Sequence, residues 1–255
     1  MAGNGRSAIV TGGAGGLGAA TVRALVEREY GVVVFDRDTE RADALVAELQ
    51  GTAAAGGDVT DDDAVLAAIA AAQGLGALTV VVNVAGGGIG AFRTVGRSGE
   101  PHDKEAFLAT MAMNATGTFN VSRLAAAAMA ANEADDDGQR GVIVNTGSIA
   151  GIEGQTGQLA YGAAKAAILG MTLPMARDLA PVGIRVCGIA PGTIGTPLML
   201  GAPQQMQDHL VASIVFPKRM GRPEEFAKLV LSIVDNPYLN GENIRLDGAL
   251  RFPPK

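Results

Sequence analysis

The chain has 255 residues, 48% of them hydrophobic, which is enough for one large α/β domain or two small ones with a substantial core. Its formal net charge of −6, carried by scattered charges, excludes the basic footprint of a nucleic-acid-binding protein. A single cysteine, Cys187, excludes an internal disulfide framework and favours a reducing compartment, so we expect a cytoplasmic protein.

One uncharged stretch, Ala64–Phe92, is long enough to suggest a membrane span. It is interrupted by Gln73, Gly74 and Gly76, and it is rich in alanine before this break and in valine after it. Membrane spans need continuous strong apolarity, so the stretch predicts a helix, a turn and a buried strand. The first apolar run, at 7–10, is too short for a secretory signal. We therefore expect no membrane association.

Short β-rich runs alternate with longer helical patterns along the whole chain. The predicted strands are 7–11, 31–36, 52–58, 78–85, 141–147, 184–190 and 243–247. The predicted helices are 19–29, 39–50, 61–73, 103–131, 159–180 and 223–235. Several strands are continuously apolar, as in parallel sheets covered on both faces. The pattern predicts one domain over 1–255, a Rossmann fold with a doubly wound, seven-stranded parallel sheet and helices on both faces.

A glycine-rich turn, TGGAGGLG at 11–18, follows the first strand and opens a helix. Gly12 would allow the tight turn, Gly16 would let the backbone approach a pyrophosphate, and Gly18 would let the helix pack close to the sheet. The helix N-terminus that begins around Leu17 would offer N–H donors and positive dipole to the phosphates. The pattern predicts a dinucleotide-binding turn, although an ordinary glycine-rich loop has the same composition.

An acidic residue, Asp36, stands at the end of the second strand, eighteen residues beyond Gly18. A carboxylate at this place accepts hydrogen bonds from the ribose hydroxyls and repels a 2′-phosphate, which favours NAD over NADP. Arg37, its neighbour, could assist a phosphate if Asp36 turned away.

The third and fourth strands end in polar residues at the edge where such sheets bind ligands. Asp58, followed by Val59, is placed to accept a hydrogen bond from the adenine amino group. Asn83, followed after Val84 by Ala85 and Gly86, fits a residue that braces the backbone beside the cofactor. A loop aspartate and a strand-end cap are the alternative interpretations.

Ser148 follows the fifth strand, and Tyr161 and Lys165 lie one helical turn apart. A free tyrosine titrates near 10, so lowering its pKa to about 7 takes roughly 4 kcal/mol of phenolate stabilisation. A neighbouring ammonium and the positive charge of oxidised nicotinamide are suitable sources. Ser148 would then hold the substrate oxygen. The alternative is an exposed i,i+4 pair and an unrelated turn serine.

These motifs together resemble the short-chain dehydrogenases/reductases, and the resemblance covers essentially the whole chain. They are Thr-Gly-x-x-x-Gly-x-Gly at 11–18, Asn83-Val84-Ala85-Gly86, Asn114, Ser148, Tyr161-x-x-x-Lys165 and Pro191-Gly192. The resemblance implies that Tyr161 is the catalytic acid/base, that Lys165 lowers its pKa and binds ribose, and that Ser148 orients the substrate. It also implies that Asn114 anchors a proton-relaying water. Val84 departs from the family, which usually has a second asparagine there.

The same resemblance assigns cofactor contacts to the loop after the sixth strand. These residues are Pro191, Gly192, Thr193, Ile194 and Thr196, of which Thr196 would contact the nicotinamide carboxamide. No metal site is expected.

Longer segments are similar to one subgroup, the type II 3-hydroxyacyl-CoA dehydrogenases, which also oxidise 2-methyl-3-hydroxybutyryl-CoA and some hydroxysteroids. They are 117–124, 132–146, 153–161, 170–186, 189–198 and 236–251. This similarity implies NAD-dependent interconversion of (S)-3-hydroxyacyl-CoA and 3-oxoacyl-CoA, with Gln155 near the substrate oxygen. It also implies a homotetramer built on the two long helices and the C-terminal segment. Pro174, which should kink its helix, fits as an inherited feature.

Substrate identity is the least determined property, because the similarity fades over 86–104. A flexible segment at 198–222 is predicted to close over the substrate. Basic residues near the expected mouth of the substrate site are candidates to bind the phosphates of CoA, namely Arg93, Arg97, Lys104, Lys218, Arg219 and Arg222.

Two other enzymatic functions are alternatives, namely a reductase of 3-oxoacyl chains on acyl carrier protein and a steroid or secondary-alcohol dehydrogenase. A non-catalytic nucleotide-binding scaffold is a more remote one.

Overall fold

Seven parallel strands form one sheet in the computed structural model, which describes residues 3–254. The strands are β1 (Arg6–Thr11), β2 (Gly31–Asp36), β3 (Thr52–Gly56), β4 (Ala77–Asn83), β5 (Gly141–Thr146), β6 (Ile184–Pro191) and β7 (Asn243–Leu246). Their order across the sheet is β3-β2-β1-β4-β5-β6-β7. The predicted doubly wound parallel sheet is confirmed. Strands β1 to β3 extend the sheet in one direction and β4 to β7 extend it in the other. The topological switch point therefore lies between β1 and β4, which is where such sheets bind ligands.

Helices cover both faces of this sheet. They are α1 (Gly16–Glu27), α2 (Thr39–Glu48), α3 (Asp62–Leu75), α4 (Lys104–Met111), α5 (Gly117–Met129), α6 (Leu159–Leu179), α7 (Pro197–Leu200), α8 (Gln204–Ala212) and α9 (Pro223–Asp235). The long helix predicted at 103–131 is interrupted by a π-helical turn, Ala112–Thr116, between α4 and α5. Two short helices, α7 and α8, lie in the segment predicted to close over the substrate.

The core consists of two apolar layers, because successive strand residues point to opposite faces. On one face Val10 and Val82 pack with Phe226 of α9. On the other face Ile9 and Val81 pack with residues of α3 and α5. All of these side chains are almost fully buried, and each contributes about 1.5–3 kcal/mol of hydrophobic stabilisation. The strands are thus covered on both faces, as their continuous apolar runs indicate.

The uncharged stretch at 64–92 folds as predicted into most of α3, a turn and β4. Among the described residues, a different helix, Leu159–Val182, is long and apolar enough to cross a membrane by length and composition, with a mean hydropathy of 1.2. It contains α6, which packs along β6 as part of the layer that covers the sheet. This helix continues through Pro174 to Leu179.

Candidate active site

The glycine-rich turn brings three parts of the chain into close contact. Gly12 has a φ of +61°, and a Cβ atom there would lie 2.9 Å from the backbone of Ala85 after β4. A Cβ atom on Gly16 would lie 2.8 Å from Pro197 and 2.9 Å from the side chain of Thr196. A side chain at either position would therefore fill the space between the turn and its neighbours. The backbone N–H groups at the start of α1 face this space, which suits an anionic group.

Gly18 lies against the residues that directly follow β1. A Cβ atom on Gly18 would overlap the carbonyl oxygen of Gly12 and lie 2.7 Å from Gly13. The absence of a side chain thus lets the first turn of α1 pack against the turn at the end of β1.

A cleft of about 540 Å³ opens beside this turn, at the β1–β4 switch point. Its volume is in the range of sites for small molecules and cofactors. The predicted cofactor residues that line it are Gly12, Gly16, Leu17, Gly18, Asp36, Arg37, Asp58, Val59, Ala85, Gly86 and Thr196. Residues that the sequence did not single out, among them Asp38, Arg41, Val84 and Met113, complete the lining.

Asp36 is held at the rim of the cleft by two backbone amides. Its Oδ2 accepts from the N–H of Ala14, and its Oδ1 accepts from the N–H of Asp38, both at 3.0 Å. The first of these bonds fixes the carboxylate against the glycine-rich turn. Arg37 points instead toward Asp58, at 3.9 Å.

The pKa of Asp58 is lowered, first by a hydrogen bond from the backbone N–H of Thr60, then by the Thr60 hydroxyl and to a smaller extent by Arg37. The Thr60 bonds to Asp58 Oδ1 measure 2.9 and 2.7 Å. This carboxylate, which lines the cleft, therefore remains ionised across the neutral pH range.

Asn83 lies beneath the cleft rather than in its lining. Its Nδ2 donates to the hydroxyl of Ser122 at 3.0 Å and to Oδ1 of Asn145 at 2.9 Å. The residue therefore braces β4 against β5 and α5, and it is the following residue, Val84, that borders the cleft. The Asn83 side chain stabilises the floor of the cleft through these bonds.

The loop after β6 also divides differently from the expectation. Pro191 ends β6, and Gly192 donates to the carbonyl of Leu246 at 2.9 Å. Thr193 and Ile194 line a separate cavity of about 420 Å³. Of this predicted group, Thr196 alone is part of the described cleft lining.

Ser148, Tyr161 and Lys165 meet at the carboxyl end of β5. Ser148 begins a 3₁₀ turn, and its Oγ accepts from the N–H of Ala150 at 3.1 Å. Its hydroxyl also reaches the phenol of Tyr161. The Lys165 ammonium donates to the carbonyl of Thr146 at 3.0 Å and lies 5.7 Å from the centre of the Tyr161 ring.

Burial dominates the titration of this group. It raises the pKa of Tyr161, and the hydrogen bond from Ser148 lowers that pKa by a smaller amount. It lowers the pKa of Lys165 to about 8. Lys165 alone therefore does not lower the pKa of the Tyr161 phenol toward 7, because its ammonium is directed to the Thr146 carbonyl and is itself poorly solvated. The predicted lowering of the Tyr161 pKa needs a further positive charge in the cleft.

Asn114 is buried in the π-helical turn and is fixed to the loop after β4. Its Nδ2 donates to the carbonyls of Gly87 and Thr110, both at 2.8 Å, and its Oδ1 accepts from the N–H of Gly87 at 3.1 Å. A Cβ atom on Gly86 would overlap Asn114 Oδ1 and lie 3.2 Å from the Lys165 nitrogen. Asn114 and Lys165 thus converge on Gly86. π-Helical turns often occur at functional sites, but no feature of the sequence signals this one.

Gln155, predicted near the substrate oxygen, makes a different contact. Its Nε2 donates to the carbonyl of Pro253 at 3.1 Å, and the residue lines a cavity of about 700 Å³ that also includes Phe92 and Arg93. The loop after Ser148 is therefore tied to the C-terminal end of the chain.

Two of the six candidate CoA-binding basic residues make contacts within the chain. Lys218 donates to the carbonyls of Ala212 and Ile214 at 2.8 and 2.7 Å. Arg219 forms an ion pair of 2.7 Å with Glu225, which holds the pKa of that carboxyl at about 2. These contacts stabilise the junction between α8 and α9.

Comparison with known proteins decides the family. Residues 6–207 match the family model described as short chain dehydrogenase. The chain belongs to the short-chain dehydrogenase family. Human 3-hydroxyacyl-CoA dehydrogenase type-2 is 47% identical over 249 residues, covering 97% of this chain and 95% of the human one. The protein of the same name from Drosophila melanogaster is 46% identical over 248 residues, covering 96% and 97% of the two chains.

A solved structure agrees with these relatives. The crystal structure of 3-hydroxyacyl-CoA dehydrogenase type-2 from Mycobacterium avium superposes with a TM-score of 0.96 at 50% identity, covering 99% of this chain and 98% of that one. The predicted family resemblance is confirmed. This short-chain dehydrogenase is an oxidoreductase that uses a nicotinamide coenzyme, and the side-chain-free space around Gly12 and Gly16 fits the pyrophosphate of such a group.

Proposed function

We propose that this short-chain dehydrogenase interconverts (S)-3-hydroxyacyl-CoA and 3-oxoacyl-CoA with NAD as the coenzyme. The observation that carries the proposal is the convergence of Ser148, Tyr161, Lys165 and Asn114 beside a dinucleotide-sized cleft. The full-length similarity to proteins named 3-hydroxyacyl-CoA dehydrogenase type-2 supports this substrate class.

The choice of NAD follows from Asp36. Its carboxylate is fixed by Ala14 and Asp38 at the rim of the cleft, where it would accept from ribose hydroxyls and repel a 2′-phosphate. The glycine-rich turn would hold the pyrophosphate, Asp58 the adenine and Thr196 the carboxamide. When bound, the coenzyme supplies hydride acceptance and hydride donation.

The protein's own residues handle the proton. In oxidation, Tyr161 as phenolate removes the proton of the substrate hydroxyl, and in reduction the phenol returns it to the carbonyl oxygen. Ser148 donates a hydrogen bond to the same oxygen. Lys165 stabilises the phenolate electrostatically and binds ribose, while Asn114 holds a water that relays protons to Lys165. The low polarity around Tyr161 strengthens each of these interactions.

The decisive experiment is a coenzyme and substrate comparison with the purified full chain. We expect reduction of acetoacetyl-CoA with NADH to exceed that with NADPH by about a hundredfold in kcat/KM. A panel of 3-oxoacyl-CoA substrates of different chain length and 2-methyl branching would define the acyl preference. Faster turnover of acetoacetyl-acyl carrier protein, or of a hydroxysteroid, would replace the proposal with one of the two alternative activities. No turnover of any of these would favour a nucleotide-binding scaffold.

The segment at 198–222 is proposed to close over the substrate. Within it large apolar side chains are exposed, including Leu198 of α7 at 82% and Phe216, which follows α8, at 80%. Such side chains gain burial if the segment folds over an acyl chain. Addition of NADH with acetoacetyl-CoA should slow proteolysis at 198–222, and unchanged cleavage would contradict this role.

We also propose a cytoplasmic homotetramer assembled through the α4–α5 and α6 helices and the C-terminal segment. Leu108, Phe119 and Leu173, one on each of these helices, are each 44–47% exposed. Apolar surface of this kind is characteristic of contacts between subunits, and closed symmetric assemblies are the usual outcome. The single buried thiol, Cys187, suits a reducing compartment.

A further inference from the structure

The C-terminal tail, residues 248–254, lies along the loop that follows Ser148. Thr156 donates to the carbonyl of Pro254 twice, through its backbone N–H at 3.1 Å and its hydroxyl at 2.9 Å. Gln155 donates to the carbonyl of Pro253 at 3.1 Å. Nearly one hundred residues separate the two sides of these bonds, so the tail fixes a loop that local structure alone does not determine.

An ion-pair network anchors the same contact. Glu153 lies 2.8 Å from Arg245 and 3.4 Å from Arg251, and it accepts from the backbone N–H of Phe252 at 3.1 Å. Arg245 also pairs with Asp247 at 2.7 Å. The side chains of Glu153 and Arg245 are only 23% exposed, so this pair is less screened than surface pairs. The hydrogen bond from Arg245 is the main cause that lowers the pKa of Glu153.

An apolar contact joins the tail to the catalytic end of the loop. Leu250 is 1% exposed and packs in one cluster with Ile149, Ala190 and Ile214. Ile149 is the residue directly after Ser148. A shift of Leu250 would therefore be transmitted to the backbone that carries the Ser148 hydroxyl.

The tail also holds the base of the segment at 198–222. The carbonyl of Gly248 accepts from the N–H groups of Val215 and Phe216, at 3.1 and 3.2 Å. These two residues follow α8. One short piece of chain thus contacts both the loop after Ser148 and the end of the segment expected to cover the substrate.

We propose that the C-terminal tail is a positioning element for the acyl substrate, acting through Glu153 and Gln155 on the loop after Ser148 and through Gly248 on the segment at 198–222. The tail is not catalytic. This inference rests on the proposed function, since it assigns to these two loops the binding of the acyl group. Tail removal should therefore affect substrate binding, while NAD binding in the cleft beside the glycine-rich turn should be unaffected.

The test uses a variant that ends at Arg251, which lacks the Phe252 N–H and the carbonyls of Pro253 and Pro254 but keeps Leu250 and Arg245. We expect its KM for acetoacetyl-CoA to rise about tenfold, with kcat changed by less than about twofold, because the variant loses the four hydrogen bonds through which residues 252–254 fix the loop. The Kd for NADH, measured by coenzyme fluorescence, should equal that of the full chain. The matched control is the double variant Pro253→Ala/Pro254→Ala, which keeps both carbonyls and should bind substrate normally.

A second variant tests the network without shortening the chain. Glu153→Gln keeps the shape of the side chain but removes its charge, and it should raise the KM for acetoacetyl-CoA by about fivefold. Glu48→Gln removes a charge from the surface pair between Arg23 and Glu48 and should leave KM unchanged. The proposal would be overturned by an unaltered KM in both the chain that ends at Arg251 and Glu153→Gln. It would also be overturned if these variants lost as much affinity for NADH as for acetoacetyl-CoA.

Hydrogen exchange separates this proposal from the proposed activity. Amides at 149–163 should exchange faster in the chain that ends at Arg251, whereas those of β1 and β4 should not change. This readout needs no substrate. Faster exchange in a protein that does not reduce acetoacetyl-CoA would support the positioning role and reject only the substrate class, whereas unchanged exchange would reject the positioning role.

Discussion

The Lys165 ammonium lies 5.7 Å from the centre of the Tyr161 ring, one helical turn away on α6. Burial raises the pKa of the tyrosine and lowers that of the lysine to about 8. In the absence of coenzyme, burial therefore shifts both groups toward their neutral forms, although Lys165, with a pKa of about 8, is still mostly protonated at pH 7. The charged forms of both groups are costly in this buried site.

Replacement of Lys165 by methionine should stabilise the coenzyme-free protein at neutral pH. A pKa of about 8 against 10.5 corresponds to a penalty of about 3 kcal/mol at pH 7, at 1.36 kcal/mol per unit. Loss of the hydrogen bond to the Thr146 carbonyl destabilises the variant by about 1 kcal/mol and so offsets part of this gain. We expect Lys165→Met to unfold several degrees higher at pH 7, measured by calorimetry, and to lose at least about a hundredfold in kcat.

The pH dependence of this gain has a definite sign. Unfolding of the wild type takes up a proton at Lys165 between pH 8 and 10.5, so its stability rises as the pH rises through that window. The penalty is fully present below pH 8 and disappears above 10.5. The advantage of the methionine variant should shrink accordingly at high pH. A variant less stable than the wild type at pH 7 would show that the ammonium is well compensated.

Replacement of Tyr161 by phenylalanine should remove the proton donor and acceptor while leaving the fold intact. We expect kcat for acetoacetyl-CoA reduction to fall by about a thousandfold, within the range for general acid–base groups. NADH affinity should be unchanged. Tyr238→Phe is a suitable control, because Tyr238 is 97% exposed and should tolerate the same change. Retained activity in Tyr161→Phe would contradict the assignment.

Asp36→Asn should weaken coenzyme discrimination. The amide can keep a hydrogen bond from Ala14 but carries no charge to repel a 2′-phosphate. We expect the ratio of kcat/KM with NADH to that with NADPH to fall by at least about tenfold. Asp43→Asn removes the same charge from an exposed position on α2 and should not alter the ratio. If both variants shift it equally, general electrostatics rather than Asp36 sets the preference.

Gly86→Ala should displace both Asn114 and Lys165. The added Cβ atom would overlap Asn114 Oδ1 and come within 3.2 Å of the lysine nitrogen, on a backbone with a φ of +153°. We expect at least about a tenfold loss of kcat and about 1–3 kcal/mol of stability. Gly87→Ala is the neighbouring control, because its nearest contact, the Met113 methyl at 3.9 Å, is ordinary. Similar losses in both variants would point to the loop backbone rather than to these two side chains.

Phe119→Lys should disrupt the proposed tetramer. Phe119 is 47% exposed on α5, and a charge buried in a contact between subunits would be strongly unfavourable. Light scattering should report a smaller assembly for this variant. Leu66→Lys changes an equally exposed residue on α3 and should leave the mass unchanged. A wild-type chain that is already monomeric would refute the assembly.

The sequence was sufficient to predict the sheet, the glycine-rich turn and the group around Tyr161, because each of them depends on local sequence patterns. The run at 31–36 predicts a buried parallel strand, and Asp36 is the last residue of that strand. Other properties depend on tertiary contacts. The partners of Asn83 on β5 and α5, and the contact of Gln155 with Pro253, join residues 39 to 98 positions apart.

The titration of Tyr161 could not be predicted for a similar reason. Its spacing from Lys165 suggested a lowered pKa, but the depth at which both side chains are buried outweighs that proximity. Burial is a property of the packed protein and has no signature in the spacing of two residues.

A π-helical turn holds one residue more than the α-helix around it, and the one at Ala112–Thr116 carries Asn114. Excision of a single residue there would restore a regular helix and rotate the asparagine by about 100° relative to one of its flanks. The shortened helix would have better hydrogen-bond geometry, yet its amide would no longer face Gly87. A redesign that favours helical regularity would thus give a more stable protein in which the proposed proton path is incomplete.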